Sequence, residues 1–340
     1  MRDILRRTFG ALALAGLAAA SGTVITANPA AAFDVEPPSG FPARTIEIVV
    51  VYPAGGGMDI NARILARSFE RLTGASTVVN NRTGGAGLVG HTFLATQAPN
   101  DGHTVGVIAN LVFADAMLRA EGQWSHTDLD PIAYLNSDGL ILVVNSDGPH
   151  AGLTMGEILE AAAADPGGLS ITNVPGSMYE YMIEALEAET GAEFAKVPFQ
   201  GGAPGIAALL GNNVDVAIAF LGEVRSHLDA GTVQPVAVTG SDRSPFVDAP
   251  TMNEVLDTDD FVWQATRWVA VPSGMDPEIK DWLAQAFIAA AADEETQQEF
   301  ADLGATTNTS YDTAEAVAGH ISQLADIEEA FFRATGRLQD

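Results

Sequence analysis

One turn near the start of the chain constrains the fold most, because it joins two segments of different periodicity. The β-branched run at residues 46–51 predicts a buried strand, and the apolar positions of residues 60–72 recur at helical spacing. Between them, the glycines of Tyr52-Pro-Ala-Gly-Gly-Gly-Met-Asp59 allow a sharp turn and leave the amides uncovered. Unpaired amides at a helix N-terminus favour an anion. The turn is therefore either a ligand-binding loop or a plain connection in which Asp59 caps the helix.

The same order of elements recurs after this turn. Residues 77–80 predict a second strand, a glycine-rich loop at 84–87 follows, and a helix is expected over 88–97. A third strand at 103–108 leads to Asn110. Strands that alternate with helices predict an α/β fold with a mostly parallel sheet flanked by helices.

The second half repeats strand, loop and helix. Strands near 140–144, 169–172 and 196–199 alternate with helices, and their loops carry Ser177 and Gln200-Gly201-Gly202. This repetition predicts two domains in a chain of 340 residues. We expect domain 1 to comprise residues 33–137 and about 238–340, with C-terminal helices able to pack across both domains. Domain 2 would comprise residues 138–237.

The N-terminus predicts export. Arg2, Arg6 and Arg7 precede an uncharged run, and small residues end in Ala30-Ala31-Ala32, which is typical of a signal peptide spanning residues 1–32. The two adjacent arginines also resemble a twin-arginine signal. The alternative is a membrane anchor, but an Ala- and Gly-rich run is weak for a spanning helix. The expected location is the periplasm.

Composition excludes several classes of protein. The formal net charge of −28 argues against nucleic acid and anionic lipid as partners. The absence of cysteine removes disulfides and thiolate metal sites, and the six histidines lack metal-ligand spacing. No cofactor and no metal is expected.

Five stretches, taken together and in order, resemble one known family. They lie at residues 53–59, 79–87, 99–104, 197–202 and 236–244, and Pro250-Thr251 follows the last. In these stretches the chain resembles the periplasmic solute receptors of tripartite tricarboxylate transporters, the Bug family. The resemblance covers nearly the whole chain after the leader.

The resemblance implies a two-domain periplasmic-binding-protein fold, type II-like, that closes on one small organic acid in the interdomain cleft. It implies a binding protein that is not an enzyme and that delivers its ligand to membrane permease subunits. The sequence leaves the oligomeric state open, with a monomer as the default. The ligand class stays open between a di- or tricarboxylate, an amino acid and an aromatic acid. The implied ligand-binding residues are Tyr52, Ala54, Gly55, Gly56, Asp59, Ser177, Gln200, Gly201 and Gly202. Asn110 is a further candidate, because its loop departs from the family pattern at a position that varies with the ligand. For Asp59 we favour a capping or water-holding role, because a carboxylate repels an anion.

Two alternatives remain at this point. Gly85-Ala-Gly87-Leu-Val-Gly90 has the form of a dinucleotide fingerprint, so a nucleotide- or phosphate-handling enzyme on the same loops is one. The next strand ends at Ala109-Asn110 without the acid that would bind a ribose. The other is a receptor of the same fold that reports its ligand to a signalling partner.

Overall fold

The computed structural model describes residues 33–120, 122–240, 242–259 and 261–338. The signal peptide predicted at residues 1–32 lies outside this range. The strands are β1 (Ile46–Val50), β2 (Thr77–Asn81), β3 (Thr104–Ala109), β4 (Leu129–Gly139), β5 (Ile141–Asn145), β6 (Ser170–Asn173), β7 (Ala195–Pro198), β8 (Ala217–Ala219), β9 (Val233–Val238) and β10 (Gln264–Pro272).

Helices follow most strands, and one turn of π-helix, Asp115–Arg119, continues the third helix. They are α1 (Gly57–Thr73), α2 (Leu88–Thr96), α3 (Leu111–Ala114), α4 (Met155–Ala164), α5 (Met178–Thr190), α6 (Gly202–Leu210), α7 (Leu221–Asp229), α8 (Met252–Leu256), α9 (Pro277–Ala292), α10 (Glu294–Asp302) and α11 (Ala314–Ala334). None of these described helices has the length and apolar character needed to cross a bilayer.

The first sheet has the strand order β2-β1-β3-β10-β4. β1 pairs in parallel with β2 and β3, whereas β10 runs antiparallel to both β3 and β4. Four of its five strands therefore share one direction, and the prediction of a mostly parallel sheet is confirmed for this half. β10 was not assigned from the sequence.

The second half arranges its strands in the same way. β6 pairs in parallel with β7, and a parallel bridge between Ile171 and Val216 connects β6 to the segment that begins β8. β5 runs antiparallel to both β8 and β9. The order β7-β6-β8-β5-β9, with one antiparallel strand in fourth place, matches that of the first sheet. The repetition predicted from the sequence is thus a repetition of topology.

Each sheet has its own apolar core. In the first domain, α1 and α9 cover one face of the sheet, and the ring of Phe69 stacks on that of Phe287 with centroids 4.3 Å apart. In the second domain, Met182 and Ile183 of α5 are fully buried beside the strands. Burial of apolar surface is the main favourable contribution to folding, so each domain is stabilised by a core of its own.

Three chain segments run side by side where the two domains join. The amide of Leu140 donates to Oγ1 of Thr239 (2.8 Å), and the amide of Thr239 donates to the carbonyl of Leu140 (2.9 Å). The amide of Trp263 donates to the carbonyl of Thr239 (2.9 Å). Two backbone hydrogen bonds and one to the Thr239 hydroxyl thus hold the crossing segments in a fixed order.

The segment after β9 differs from the sequence expectation, which returned the chain to domain 1 at about residue 238. Val247, Ala249, Met252 and Phe261 all lie in the apolar clusters of the second half. The reason is that Val238 pairs with Ile141 and also forms a parallel bridge with Thr251. The chain rejoins the first sheet only with β10.

The C-terminal helix α11 contacts both domains. Val317 and Ile321 pack into a cluster of the first domain. Further along, the ring of Phe332 lies edge-on to Tyr181 of α5, with centroids 5.4 Å apart. Phe331 makes a similar contact with Trp263, also at 5.4 Å. The helix therefore packs against the first domain, against α5 of the second domain and against Trp263, which lies where the chain crosses between the domains.

Candidate functional site

The first glycine loop leaves the start of α1 open. Gly55 has a φ of +81°, and its amide donates to Oδ2 of Asp59 (2.9 Å). The amide of Gly56 donates to the carbonyl of Pro53 (3.3 Å). No described side chain caps α1, so its first amides keep their donors for another acceptor. Open amides at a helix N-terminus favour an anion, so this geometry is compatible with the ligand-binding loop that the sequence left as one of two possibilities.

Asp59 is fully engaged in holding this loop. Its carboxylate accepts from Gly55, from Nε of Arg63 (3.0 Å) and from Nδ2 of Asn81 (3.0 Å). Burial would raise the pKa of Asp59, but the hydrogen bonds from Arg63, Gly55 and Asn81 outweigh it and lower the pKa. Asp59 does not cap α1, whose N-cap position is Gly56; its contacts hold the glycine loop against α1 and β2.

The facing loops of the second domain begin α5 and α6. Oγ of Ser177 accepts from the amide of Tyr179 (3.2 Å) and donates to the carbonyl of Val174 (2.6 Å), so Ser177 caps α5. Gly201 precedes α6 with a φ of +147°, and no described side chain caps that helix. Gln200 is exposed.

Glu223 of α7 lies against loops from both domains. Its Oε2 accepts from the amide of Phe220 (3.0 Å) and from the hydroxyl of Tyr179 (3.5 Å). A Cβ built on Gly202 would collide with the same carboxylate, and one built on Gly56 would lie 3.9 Å from Oε1. Burial and the charge of Asp138 raise the pKa of Glu223. The sequence analysis did not identify this residue.

The first domain contributes a cation, Arg267, to the same group of loops, and this residue is only 1% exposed. It comes from the middle of β10, and its Nη1 donates to Oδ1 of Asp138 (2.6 Å) and to Oδ1 of Asn136 (3.1 Å). Nη2 lies 3.8 Å from where a Cβ on Gly57 would stand, beside the open amides of α1. The guanidinium also lies over the ring of Phe220, 5.0 Å from its centroid. A single arginine inside an apolar stretch was the available sequence signal for this residue.

Tyr52 and Asn110 lie at the margin of this group. The hydroxyl of Tyr52 would be 3.4 Å from a Cβ on Gly87, and burial raises its pKa. Asn110 donates from Nδ2 to Oε1 of Glu328 (2.7 Å) and accepts at Oδ1 from the amide of Thr266 (3.3 Å). The side chain of Asn110 is therefore occupied by α11 and β10.

Arg119 connects the two domains near the same loops. Its Nη1 donates to Oδ1 of Asp115 (2.6 Å), whose other oxygen contacts Nδ1 of the buried His91 (2.6 Å). Nη1 also reaches the carbonyl of Gly176 in the second domain (3.5 Å), and Nη2 donates to the carbonyl of Gly85 in the first. One guanidinium thus bridges loops of both domains.

Five of the ten predicted residues, on the two glycine loops, differ in exposure. Gly56 and Gly202 meet at Glu223, whereas Ala54, Gly55 and Gln200 lie on exposed parts of their loops. Within the part of the chain that the structure describes, no cluster of three or more His, Asp or Glu side chains could hold a metal ion. The arrangement suits the capture of a small polar molecule by amides, one cation and one carboxylate.

Two α/β domains joined by several crossings, with open helix N-termini facing each other, define a two-domain solute-binding protein. The sequence model of one family, described as Tripartite tricarboxylate transporter family receptor, matches residues 61–327. The chain therefore belongs to that family of periplasmic solute-binding receptors, and the resemblance found in the sequence is confirmed.

Known relatives agree with this assignment. Protein BugT of Bordetella pertussis (strain Tohama I) is 32% identical over 274 residues, which cover 78% of this chain and 82% of BugT. The solved structure of the periplasmic binding protein BugD has a TM-score of 0.79 at 26% identity and covers 88% of this chain and 100% of that one. MatC from Rhodopseudomonas palustris with bound malate has a TM-score of 0.76 at 23% identity, covers 85% of this chain and 99% of MatC, and supports the fold alone.

Proposed function

We propose that this receptor captures a small organic carboxylate between its domains and delivers it to the permease subunits of a tripartite transporter. The observation that carries the proposal is the open N-terminus of α1, with Nη2 of Arg267 beside Gly57. Amides and a guanidinium together supply the charge-assisted hydrogen bonds that a carboxylate accepts. MatC, a protein of the same fold, binds the dicarboxylate malate.

The proposed roles follow from the contacts. Tyr52, Ala54, Gly55 and Gly56 form the first-domain wall, and Asp59 keeps that loop in shape. The second-domain wall and the margin are formed by the remaining predicted residues, which are Ser177, Gln200, Gly201, Gly202 and Asn110. Asn110 acts on the shape of the site through Glu328 and Thr266 rather than as a free donor.

Binding would proceed by domain closure. A ligand held by both walls favours the closed arrangement, and the closed surface then docks on the permease. We propose domain 1 as residues 33–139 with 264–338, and domain 2 as residues 140–263, because the two sheets and their cores divide there. The working unit is a monomer in the periplasm, exported by the leader at residues 1–32, with Arg6-Arg7 as a twin-arginine signal.

A binding role without catalysis fits the second glycine motif better than nucleotide binding does. A Cβ on Gly90 would lie 2.6 Å from Cγ1 of Val51 and 2.8 Å from the carbonyl of Arg82. Gly85 accepts a hydrogen bond from Arg119. Gly90 is therefore needed for close packing, and Gly85 has a φ of +56° that favours glycine, so the motif requires no nucleotide to explain it.

The test is a thermal-shift screen of the chain from Phe33 onward against mono-, di- and tricarboxylates, amino acids and aromatic acids. A ligand at a hundredfold excess over its dissociation constant stabilises the folded state by about 2.7 kcal/mol. Mass spectrometry of the denatured sample first establishes that no ligand has co-purified. A ligand-free sample that responds to no acid would contradict the proposal.

A matched pair of variants locates the site. Gly55→Asp places a carboxylate in the first loop and should abolish the shift. Gly40→Asp is the control, because Gly40 has nearly the same φ as Gly55 (+79° against +81°). At both positions no heavy atom lies within 4 Å of an added Cβ. Loss of binding in both variants would mean that backbone strain, and not the loop, is responsible.

A further inference from the structure

We infer that the cleft selects a zwitterionic ligand, an acid that carries an ammonium group close to its carboxylate, with Glu223 as the residue that recognises the ammonium. The inference rests on the proposed function, because the carboxylate end would use the amides of α1 and Arg267. It adds the charge requirement at the other end of the ligand.

The first step concerns the donors that remain on Arg267. Its Nη1 is occupied by Asp138 and Asn136. Its Nε is buried and has no hydrogen-bond partner among the described residues. Nη2 lies beside Gly57. A buried guanidinium with unused donors is costly, and an anion at the start of α1 would supply the missing acceptors.

The second step concerns the charges that surround the site. Asp138 forms an ion pair with Arg267 at 2.6 Å and so offsets its charge. Glu223 has no arginine or lysine nitrogen within ion-pair distance in the described ranges. Its Oε2 receives hydrogen bonds from Phe220 and Tyr179, while Oε1 faces Gly56. Within the described ranges Glu223 therefore has no ion-pair partner of its own, and the charge of Arg267 acts on it only from beyond that distance.

The third step compares ligands. An acid without a cationic group adds negative charge beside Glu223, and enclosing like charges is unfavourable. An ammonium next to Oε1 would instead form an ion pair while the carboxylate of the same ligand lies at α1. Gly56 and Gly57 are consecutive, and they face Glu223 and Arg267 respectively. The two ligand groups must therefore be close together, as they are in an α-amino acid.

The wild-type protein provides the first test, by calorimetric titration with acids matched in shape. The sets are aspartate, malate and succinate; glutamate, 2-hydroxyglutarate and glutarate; and alanine, lactate and propionate. In any set with a member that binds, we expect the amino acid to have the highest affinity. Its affinity should exceed those of its hydroxy and unsubstituted analogues by at least about tenfold. Equal or tighter binding of a hydroxy acid or an unsubstituted acid overturns the inference and leaves the proposed function standing. If no acid of the wider panel binds, the proposed function fails as well.

A variant then assigns the preference to Glu223. Glu223→Gln keeps an acceptor for the Phe220 amide but removes the charge, so we expect the preference for the amino acid to fall at least about tenfold. Glu157→Gln is the matched control, because Glu157 receives the same kind of hydrogen bond at the start of α4, from the amide of Thr154 (2.8 Å) on the surface. An unchanged preference in a folded Glu223→Gln protein overturns the role of Glu223. If that variant does not fold, the wild-type comparison decides the inference alone.

Discussion

Asn110 donates from its Nδ2 to Oε1 of Glu328 over 2.7 Å, and this bond connects the loop after β3 to the C-terminal helix α11. The partners lie 218 residues apart in sequence. The same asparagine accepts from the amide of Thr266 in β10, so one side chain joins three elements of the first domain beside the cleft. The shape of this part of the site therefore depends on the C-terminal helix.

The first prediction concerns the charge of Glu328. Burial raises the pKa of Glu328 to about 8, with the hydrogen bond from Asn110 acting in the opposite direction. The folded state therefore holds a proton that the unfolded chain releases near pH 4.5, so this contribution to stability is present below that pH and is lost as the pH rises toward about 8. Glu328→Gln should be more stable than the wild type by roughly 4 kcal/mol at pH 8, and the gain should shrink toward pH 4.5.

Urea unfolding of both proteins between pH 4.5 and 8.5 measures this difference. Glu329→Gln is the control, because its carboxylate pairs with Arg333 on the exposed face of α11. A gain from Glu328→Gln that does not change with pH would contradict the prediction.

The sequence predicted the parts of the site that depend on local pattern. The strand at 46–51, the glycine loop and α1 follow one another directly, so periodicity and glycine positions were sufficient. Arg267 was missed because its strand enters the sheet between β3 and β4 only after the chain has returned from the second domain. Its bond to Asp138 spans 129 residues. Glu223 was missed for the same reason, since its importance arises from Gly56 on the other domain and not from its place on α7.

The second prediction concerns the bridge that Arg119 forms between the domains. Arg119→Lys keeps the positive charge beside Asp115, but an ammonium lacks the planar fork that reaches both Gly85 and Gly176. The closed form should lose stability relative to the open form, and ligand affinity should fall about three- to tenfold. Calorimetry measures the affinity. Small-angle X-ray scattering measures the population of the open form, which is more extended than the closed form. Arg44→Lys, at an exposed pair with Asp101, is the control and should leave both unchanged.

The third prediction concerns packing behind the first loop. Gly90→Ala would place a Cβ 2.6 Å from Val51 and 2.8 Å from the backbone of Arg82, so the variant should lose about 1–3 kcal/mol of unfolding free energy. Gly319→Ala is the comparison, because nothing lies within 4 Å of a Cβ there and α11 should gain about 0.5–1 kcal/mol. Denaturant titration of the two variants should give changes of opposite sign. A stable Gly90→Ala protein would show that the motif is not needed for packing and would reopen nucleotide binding.

The last prediction concerns Asp59, which we assign to the loop and not to the ligand. In Asp59→Asn the new amide group would face donors from Gly55, Arg63 and Asn81, so we expect a loss of about 1–3 kcal/mol at pH 7. The folded-state pKa of Asp59 is lowered by those hydrogen bonds despite burial. The wild-type advantage is therefore full above the unfolded value of 3.8 and is lost as the pH falls through the lower folded value.

Unfolding of wild type and variant from pH 7 down to pH 2.5 checks this, with Asp229→Asn at the exposed pair with Arg225 as the control. If Asp59 instead contacts the ligand directly, Asp59→Asn would change which acid binds while the unfolding free energy stays the same. Because the three donors belong to the loop, to α1 and to β2, we expect the stability of the free protein to change first. Any loss of affinity should then be similar for all acids that bind.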